Sequence, residues 1–389
     1  MRILTYSSLY PNAAQPRHGI FIETRLRMLL AQEAIGARVV APVPWFPSGA
    51  VCFGDRGVFA RVPRREARFG VTVEHPRYPV IPKLSWRFSP PLMAAATFRT
   101  VAAHAADFDL IDAHFFYPDG VAAVKIGKRL GKPVVITARG SDITLMPQYA
   151  GPRRAIQWAA READALVTVC QALKDALVQI GVPAEKITVL RNGVDLDRFR
   201  PGDREAARAA LGLGAGRVLL AVGNLVELKG NHLTLEALRD LPGVTLLLVG
   251  DGPERARLER LARHYGIADR VRFEGTVPQA ALPRYYDAAD ALVLFSSREG
   301  WANVLLEAMA CGTPVIATAI WGTPEVVASP EAGVLVRVRS AAALVAAYHA
   351  LFAAYPARAA TRAYAEGFGW EATSRGQVEL FERVLAARR

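Results

Sequence analysis

Short continuous apolar runs recur along the chain, and segments with helical spacing separate them. The clearest runs read as buried strands: RILTYSS (2–8), ARVVAPV (37–43), VVIT (134–137), VLLAVG (218–223) and VIAT (315–318). Residues 22–32 read as a helix between the first two. Strands that are apolar on both faces and alternate with helices predict parallel sheets of the doubly wound α/β class.

The second half of the chain continues this pattern. Residues 302–312 read as a helix that ends at Gly312, directly before the strand VIAT. GTPEVV (322–327) and GVLV (333–336) are expected to complete the sheet. Residues 368–385 read as a terminal helix.

The length of 389 residues, with 52% hydrophobic residues, predicts two cores. We place the boundary near residue 200, where NGVDLDRF gives way to an exposed helix and a glycine-rich hinge (202–216). The predicted domains are 1–200 and 201–367, and the helical segment 368–389 follows them.

Composition limits the cellular setting. No run reaches the roughly 18 apolar residues of a membrane span. The N-terminal residues read directly as a strand and lack the basic and apolar regions of a signal peptide. Three scattered cysteines, Cys52, Cys170 and Cys311, indicate a reducing compartment and no zinc site. We therefore expect a cytoplasmic protein.

The positive charge is concentrated in the first half. Of the net +12, residues 1–195 carry +10, from 25 Lys and Arg against 15 Asp and Glu. Basic and apolar residues alternate in 56–70 and 83–99, which suits an anionic membrane surface. The alternative is an ordinary basic surface. We do not expect nucleic-acid binding, because no motif for it accompanies the charge.

Two carboxylates flank the start of the predicted helix at 302. Glu299 precedes it and Glu307 lies on its second turn. Unpaired amides after Gly300 at a helix N-terminus attract an anion such as a diphosphate, while carboxylates accept hydrogen bonds from sugar hydroxyls. Taken alone, two glutamates at this spacing are more often solvated helix charges.

Polar residues also follow several predicted strands, at the edge where open α/β sheets bind ligands. Gly223, Asn224 and Lys229 follow one strand of the second half. In the first half the corresponding residues are His18, Gly19, His114, Arg139 and Asp142. A lysine at such an edge could neutralise a diphosphate and stabilise charge on a leaving group.

The string EGWANVLLEAMACGTPVIAT (299–318) closely resembles the E-x7-E segment of family 4 glycosyltransferases, which have the GT-B fold. The segments VGNLVELKG (222–230) and DAHFFYPDG (112–120) are similar to further motifs of that family. The resemblance implies two Rossmann-like domains facing a central cleft, an acceptor-binding domain (1–200) and a nucleotide-sugar-binding domain (201–367). It also implies that the helix in 368–389 crosses back to the first domain. Asn224 stands where the family usually has Arg, and Arg139 where it usually has His.

The resemblance also implies residue roles. Glu299 would contact the donor sugar, Glu307 the nucleotide ribose and Lys229 the diphosphate, while residues 275–278 would meet the base. The expected donor-site residues are Gly19, Gly223, Asn224, Lys229, Gly275, Val277, Glu299, Gly300, Trp301, Ala302, Asn303, Val304 and Glu307. The expected catalytic residues are Glu299, Lys229, His114 and Arg139, and the expected acceptor-side residues are His18, His114 and Asp142.

We expect a metal-independent transferase that moves a hexose from a UDP- or GDP-sugar to a saccharide acceptor, and the resemblance implies that the anomeric configuration is retained. A lipid-linked acceptor at the inner face of the cytoplasmic membrane fits the basic first half. No cofactor and no metal are expected. A nucleotide-sugar epimerase or hydrolase on the same fold remains an alternative, and a non-enzymatic binding module is a more distant one.

Overall fold

The computed structural model describes residues 1–50, 56–80 and 85–388. The chain forms two compact units. The first contains Met1–Arg191 and the chain from Glu371 onward; the second contains Asn192–Trp370. The division falls before the boundary predicted at residue 200, and the first unit resumes at Glu371 rather than at 368. Cys52 and part of the basic segment 83–99 lie outside the described residues.

The first unit is built on an eight-stranded sheet and a two-stranded ribbon. Its strands are β1 (Arg2–Tyr6), β2 (Gly36–Val40), β3 (Val43–Pro44), β4 (Arg65–Arg68), β5 (Val71–Glu74), β6 (Arg77–Tyr78), β7 (Leu110–His114), β8 (Val134–Ala138), β9 (Ala165–Thr168) and β10 (Ile187–Val189). The large sheet has the order β10-β9-β8-β7-β1-β2-β5-β4, and β3 pairs with β6. Neighbouring strands are parallel except β4 and β5.

Helices connect the strands of this unit. They are α1 (Ile20–Gln32), α2 (Val58–Arg61), α3 (Ser85–Ala102), α4 (Val121–Leu130), α5 (Ser141–Thr144), α6 (Ala150–Glu162), α7 (Gln171–Gln179) and the C-terminal α16 (Glu371–Ala386). Leu380, Phe381 and Val384 of α16 are buried in one core cluster with Ile22 and Leu26 of α1. The C-terminal helix is therefore an integral part of the first core.

The second unit contains one six-stranded parallel sheet. Its strands are β11 (Val218–Val222), β12 (Thr245–Val249), β13 (Val271–Gly275), β14 (Ala291–Leu294), β15 (Val315–Thr318) and β16 (Gly333–Val336). Its helices are α8 (Arg204–Ala210), α9 (Asn231–Leu238), α10 (Arg255–His264), α11 (Leu282–Ala288), α12 (Asn303–Ala310), α13 (Thr323–Val326), α14 (Ala341–Ala353) and α15 (Arg358–Glu366).

The strand order of this sheet is β13-β12-β11-β14-β15-β16. In chain order that is 3-2-1-4-5-6, the arrangement of a nucleotide-binding doubly wound sheet. Leu219, Leu246 and Ile316 lie in its main core cluster, with helices packed against them. Strands such as β14 and β15 are buried at every position, which explains their continuous apolar sequences.

One predicted sheet segment is wrong. We expected GTPEVV (322–327) to contribute to the sheet, but Thr323–Val326 is a short helix. Pro324 lies in the first turn of this helix, where its missing N–H costs nothing. GVLV does form the edge strand β16. Across residues 1–50, 56–80 and 85–388, no helix combines the length and the apolar character that a bilayer crossing requires.

Candidate functional site

In the second unit, the candidate donor site lies at the carboxyl ends of β11 and β14. The order of the strands reverses between these two neighbours, and ligands of open α/β sheets bind at such a point. Gly223 and Asn224 follow β11, while Phe295 and Ser296 follow β14. A small pocket here is lined by Ala221, Val222, Gly223, Asn224, Lys229, Asn231, Val293 and Leu294.

The loops after these two strands are joined by an ion pair. Lys229 Nζ donates to Glu299 Oε1 over 2.6 Å, and the side chains are 22% and 11% exposed. Ser296 Oγ donates to the same oxygen over 2.6 Å. Both contacts are made by Oε1, and neither involves Glu299 Oε2. The structure thus brings together two of the residues predicted to be catalytic.

A glycine and an arginine hold the loop of Lys229 against the end of β14. Gly230 has a left-handed φ of 72°, and a Cβ there would lie 2.0 Å from the carbonyl oxygen of Phe295. Arg339 Nε donates to that same oxygen over 2.8 Å, and its Nη2 donates to the carbonyl of Glu227 over 3.3 Å. Only glycine permits this close approach.

Glu307 lies on α12 and is held by residues from outside that helix. The phenol of Tyr286 on α11 donates to Glu307 Oε2 over 2.7 Å, and Gln279 also bonds to the carboxyl group. Arg198 Nη1 in turn donates to Gln279 Oε1 over 2.8 Å. Burial raises the pKa of Glu307, and the hydrogen bonds from Tyr286 and Gln279 oppose that effect. Its carboxyl group is therefore fixed in place.

The residues between the two glutamates form the start of α12. Trp301 and Ala302 are buried, and the Trp301 ring lies 6.4 Å from that of Phe368. Asn303 begins the helix and accepts from Asn192 over 3.3 Å, and Val304 follows it half-buried. With Gly300 before it, this segment leads the chain from Glu299 into the helix.

Two predicted residues lie after β13. Gly275 ends that strand with a left-handed φ of 67°, and its carbonyl accepts from Gly250 N over 2.7 Å. Val277 follows in the connecting segment and is half-buried. Strand β13 is the edge strand of the sheet, two strands away from β11. A nucleotide base could therefore reach these residues only by extending along the carboxyl edge.

In the first unit, His114 at the end of β7 has both ring nitrogens occupied. Arg139 Nη2 lies 2.7 Å from His114 Nδ1, and His114 Nε2 lies 3.0 Å from Asp112 Oδ2. A guanidinium can only donate, so Nδ1 accepts and Nε2 carries the proton. Burial lowers the pKa of His114 to about 4, with Asp112 opposing and Arg139 reinforcing the shift. The ring is neutral and points into a buried network.

That network extends to the C-terminal helix. Gln377 of α16 donates to Asp112 Oδ2 over 3.2 Å and accepts from Arg25 Nε over 2.7 Å. Arg25 is 1% exposed and also donates to the carbonyl of Leu190 over 3.1 Å. Burial lowers the pKa of Arg25 to about 10, an effect that Asp112 opposes. These contacts fix α1, β7 and α16 to one another.

Asp142 at the start of α5 shapes the turn after β8. It accepts from the backbone amides of Phe116 over 2.7 Å and Gly140 over 2.7 Å, and from that of Arg139 over 3.1 Å. Burial raises its pKa, and these hydrogen bonds oppose the rise. Asp142 is fully buried, and backbone amides donate to both of its carboxylate oxygens. Its predicted acceptor-side role stays a prediction.

His18 and Gly19 lie in the loop after β1. His18 Nε2 is 3.2 Å from the carbonyl oxygen of Ser8, and burial lowers the pKa of the ring. Gly19 has a φ of 68°, and a Cβ there would lie 2.1 Å from the carbonyl oxygen of Leu9. The backbone amide and hydroxyl of Ser8 both donate to Asp119. The predicted donor contact of Gly19 stays a prediction.

Sequence reasoning missed the residues that hold the predicted ones in place. Ser296, Tyr286, Gln279 and Arg198 support the two glutamates, and Arg339 supports the loop of Lys229. They come from separate elements and share no local motif, so only the polar Ser296 beside Glu299 could have been noticed. Within the described part of the chain, no group of three or more His, Cys, Asp or Glu residues could hold a metal ion.

Family models match both units. Residues 48–198 match the model described as Glycosyltransferase Family 4, and residues 203–368 match Glycosyl transferases group 1. The D-inositol 3-phosphate glycosyltransferase of Frankia alni is 32% identical over 374 residues, which cover 85% of this chain and 89% of that protein. The chain belongs to glycosyltransferase family 4. It is therefore an enzyme of the glycosyltransferase class, as the E-x7-E segment predicted.

Other comparisons agree with this family 4 glycosyltransferase assignment. The putative teichuronic acid biosynthesis glycosyltransferase TuaC of Bacillus subtilis is 31% identical over 357 residues, covering 89% of this chain and 88% of that protein. Sucrose-phosphate synthase from Thermosynechococcus elongatus superposes with a TM-score of 0.80 at 24% identity, covering 99% of each chain. Anabaena HepE in complex with UDP gives 0.75 at 23% identity, covering 98% of this chain and 100% of that one. The predicted GT-B fold is confirmed.

Proposed function

We propose that this enzyme is a retaining hexosyltransferase whose second unit holds a nucleotide-sugar donor at the carboxyl ends of β11 and β14. The observation that carries the proposal is the Lys229–Glu299 pair of 2.6 Å at the point where the strand order reverses. A cation and a carboxylate at that point can meet the two chemically different parts of the donor, the diphosphate and the sugar.

Each of the three central side chains has a proposed role. Lys229 binds the diphosphate and stabilises the charge that develops as it departs. Glu299 accepts hydrogen bonds from the hexose, and Ser296 keeps its carboxylate oriented. Glu307, oriented by the phenol of Tyr286, accepts a hydrogen bond from the ribose.

Donor binding would loosen the ion pair. Glu299 pairs with the ammonium of Lys229, and an arriving diphosphate offers that ammonium a stronger anionic partner. The amides at the start of α12 supply further positive potential. These groups neutralise the leaving group without a metal ion, so we propose a metal-independent reaction.

We propose a UDP-sugar as the donor, with a GDP-sugar as the alternative. HepE, which shares the fold, was solved with UDP and with UDP-glucose. In this chain, the segment after β13 that carries Gly275 and Val277 would meet the base mainly through its backbone. Contacts of that kind fit either base, so the preference for UDP rests on the structural relative.

We propose a saccharide acceptor, carried on a lipid. The relative TuaC is named for teichuronic acid biosynthesis, and the basic first half of this chain suits an anionic membrane surface. A phosphorylated polyol is the second candidate, because several relatives are named D-inositol 3-phosphate glycosyltransferases. The proposed site of action is the cytoplasmic face of the membrane.

We propose that the first unit binds the acceptor and that His114 and Arg139 of this unit act by positioning. Their side chains bond to each other and to Asp112 within the buried network. They therefore fix the turns after β7 and β8, which carry the backbone that would meet an acceptor. The earlier expectation that both act directly on substrate stays a prediction.

A product assay tests the proposal. The enzyme is incubated with UDP-glucose or UDP-galactose, without added metal, and with either a lipid-linked saccharide or D-inositol 3-phosphate. A new glycoside with the anomeric configuration of the donor is the expected product. Free sugar or an epimerised donor, formed equally with and without acceptor, would instead support a hydrolase or epimerase. Glu299→Gln is the inactive control.

A further inference from the structure

A groove on the first unit lies between α3 and α4. Its α3 wall is an apolar stripe at helical spacing, formed by Pro91, Ala94, Ala95 and Phe98. Its α4 wall is mainly cationic, formed by Lys125, Ile126, Lys128 and Arg129. Trp158 of α6 completes the lining. We call this the α3–α4 groove.

Two cations of the groove lie on aromatic rings. The guanidinium carbon of Arg129 is 3.7 Å from the centre of the Phe98 ring, and Lys125 Nζ is 4.7 Å from the centre of the Trp158 ring. Such contacts hold a cation beside apolar surface without neutralising it. Glu162 pairs with the third cation, Lys128. Within the described part of the chain, no carboxylate forms an ion pair with Lys125 or Arg129.

The chemistry of the two walls defines the ligand. One wall offers hydrocarbon contact and the other offers positive charge, and they face each other along the same groove. The space within it is about 690 Å³, including the part open to solvent, which lies in the range of small-molecule sites. An amphiphile with a phosphate head and an acyl chain matches both walls at once.

We propose that the α3–α4 groove binds an anionic phospholipid of the membrane. The acyl chain lies along the α3 stripe, and the phosphate contacts Lys125 and Arg129. Arg129 belongs to the last turn of α4, away from the end that follows β7. The groove is therefore distinct from the carboxyl edge of the sheet. This inference rests on the membrane part of the proposed function and not on the donor site.

Flotation with vesicles tests the charged wall. Vesicles of phosphatidylcholine, with and without phosphatidylglycerol, are mixed at low salt with wild type and with Lys125→Glu/Arg129→Glu. The matched control is Arg153→Glu/Arg154→Glu, which makes the same charge change at exposed positions of α6. We expect binding to the phosphatidylglycerol vesicles to fall about tenfold or more in the groove variant and to stay unchanged in the control. Each basic residue contributes appreciably to binding at an anionic surface. An equal fall in both variants would overturn the proposal.

A second pair of variants tests the apolar wall. Ala95→Glu places a carboxylate on the α3 stripe, whereas Ala103→Glu adds one at an exposed position just beyond α3. Short-chain phosphatidylglycerol below its micelle concentration should raise the melting midpoint of wild type and of Ala103→Glu, but not of Ala95→Glu. Stabilisation by inorganic phosphate to the same extent would contradict a lipid site.

The donor site supplies the internal control. UDP should stabilise the groove variants as much as wild type, because the groove and the donor site belong to different units. A groove variant that loses vesicle binding but keeps UDP binding shows that the fold is intact. If UDP does not stabilise the wild type, that result contradicts the donor site and does not affect the conclusion about the lipid site.

Discussion

Lys229 Nζ lies 2.6 Å from Glu299 Oε1, although the two residues are 70 positions apart in the chain. The contact joins the loop after β11 to the loop after β14. Ser296 Oγ donates to the carboxylate of Glu299. Arg339 donates to the backbone carbonyls of Phe295 and Glu227 and so holds the two loops together. The proposed donor site thus depends on one polar contact between the loops that follow the two central strands of the sheet.

Replacing Lys229 should remove most of the activity. Without the ammonium, the departing diphosphate loses its cation, and loss of one such electrostatic contact costs about 10²–10³ in kcat. Steady-state kinetics of Lys229→Ala with the natural donor measure this, with Arg260→Ala, an exposed cation of α10, as control. A Lys229→Ala enzyme with nearly unchanged kcat would exclude the assigned role.

Tyr286→Phe should weaken nucleotide binding more than it slows turnover. The phenol orients Glu307, and a hydrogen bond to a charged group contributes about 1.5–3 kcal/mol, so we expect roughly a tenfold rise in Kd for UDP. The hydrogen bond also lowers the pKa of Glu307, so its loss should move the acid limb of UDP binding to higher pH. Calorimetric titration across pH measures both effects.

The neighbouring tyrosine offers a matched control. Tyr285 lies on the same helix, and its phenol bonds to Glu274 over 3.1 Å rather than to Glu307. Tyr285→Phe should leave both the Kd and the acid limb unchanged. If the two variants behave alike, Tyr286 has no specific connection with nucleotide binding.

Gly230→Ala should disturb the donor site far more than Gly243→Ala. Both glycines have a φ of 72°, so alanine pays the same backbone cost of about 1–2 kcal/mol at either position. A Cβ at Gly243 meets nothing within 4 Å, whereas at Gly230 it collides with the carbonyl of Phe295. We expect a lower melting midpoint and weaker UDP binding for Gly230→Ala. Equal midpoints would show that the close approach does not matter.

Asp119 should make the stability of the first unit depend on pH. Burial raises the pKa of its carboxyl group from 3.8 to about 7. The folded state therefore binds the proton more tightly than the unfolded state, and this contribution is present below pH 3.8 and lost as pH rises through about 7. The loss is on the order of 4 kcal/mol.

Asp119→Asn should remove that dependence. Urea denaturation at about pH 5 and about pH 8 gives the unfolding free energy of each protein. The wild type should lose more stability than the variant between these conditions. A parallel change in both proteins would show that Asp119 titrates at its ordinary value.

The sequence predicted the elements that depend on local pattern. Strands β8, β11 and β15 are continuous apolar runs because both faces of each sheet are covered, and α12 begins beside Ala302 as expected. The prediction that residues 322–327 belong to the sheet was wrong. A short segment with two valines and a proline fits an edge strand and a helical turn equally well.

The supporting contacts could not be predicted, because they join distant parts of the chain. No sequence motif marks Arg25 of α1, yet it is buried against Gln377 of α16. Likewise, nothing around Tyr286 shows that its hydroxyl would meet a glutamate 21 positions later. Local spacing identifies which residues carry chemistry, whereas the packing of helices on the sheet decides what holds them.

The most direct test of the donor site is a thermal shift of the purified enzyme with UDP, GDP and ADP, repeated with Glu307→Ala. A ligand at 100 times its Kd stabilises a fold by about 2.7 kcal/mol, which gives a clear rise in midpoint. We predict that UDP raises the midpoint of the wild type and that the variant loses this response. No response of the wild type to any of the three diphosphates, or an unchanged response in Glu307→Ala, would contradict the donor site proposed here.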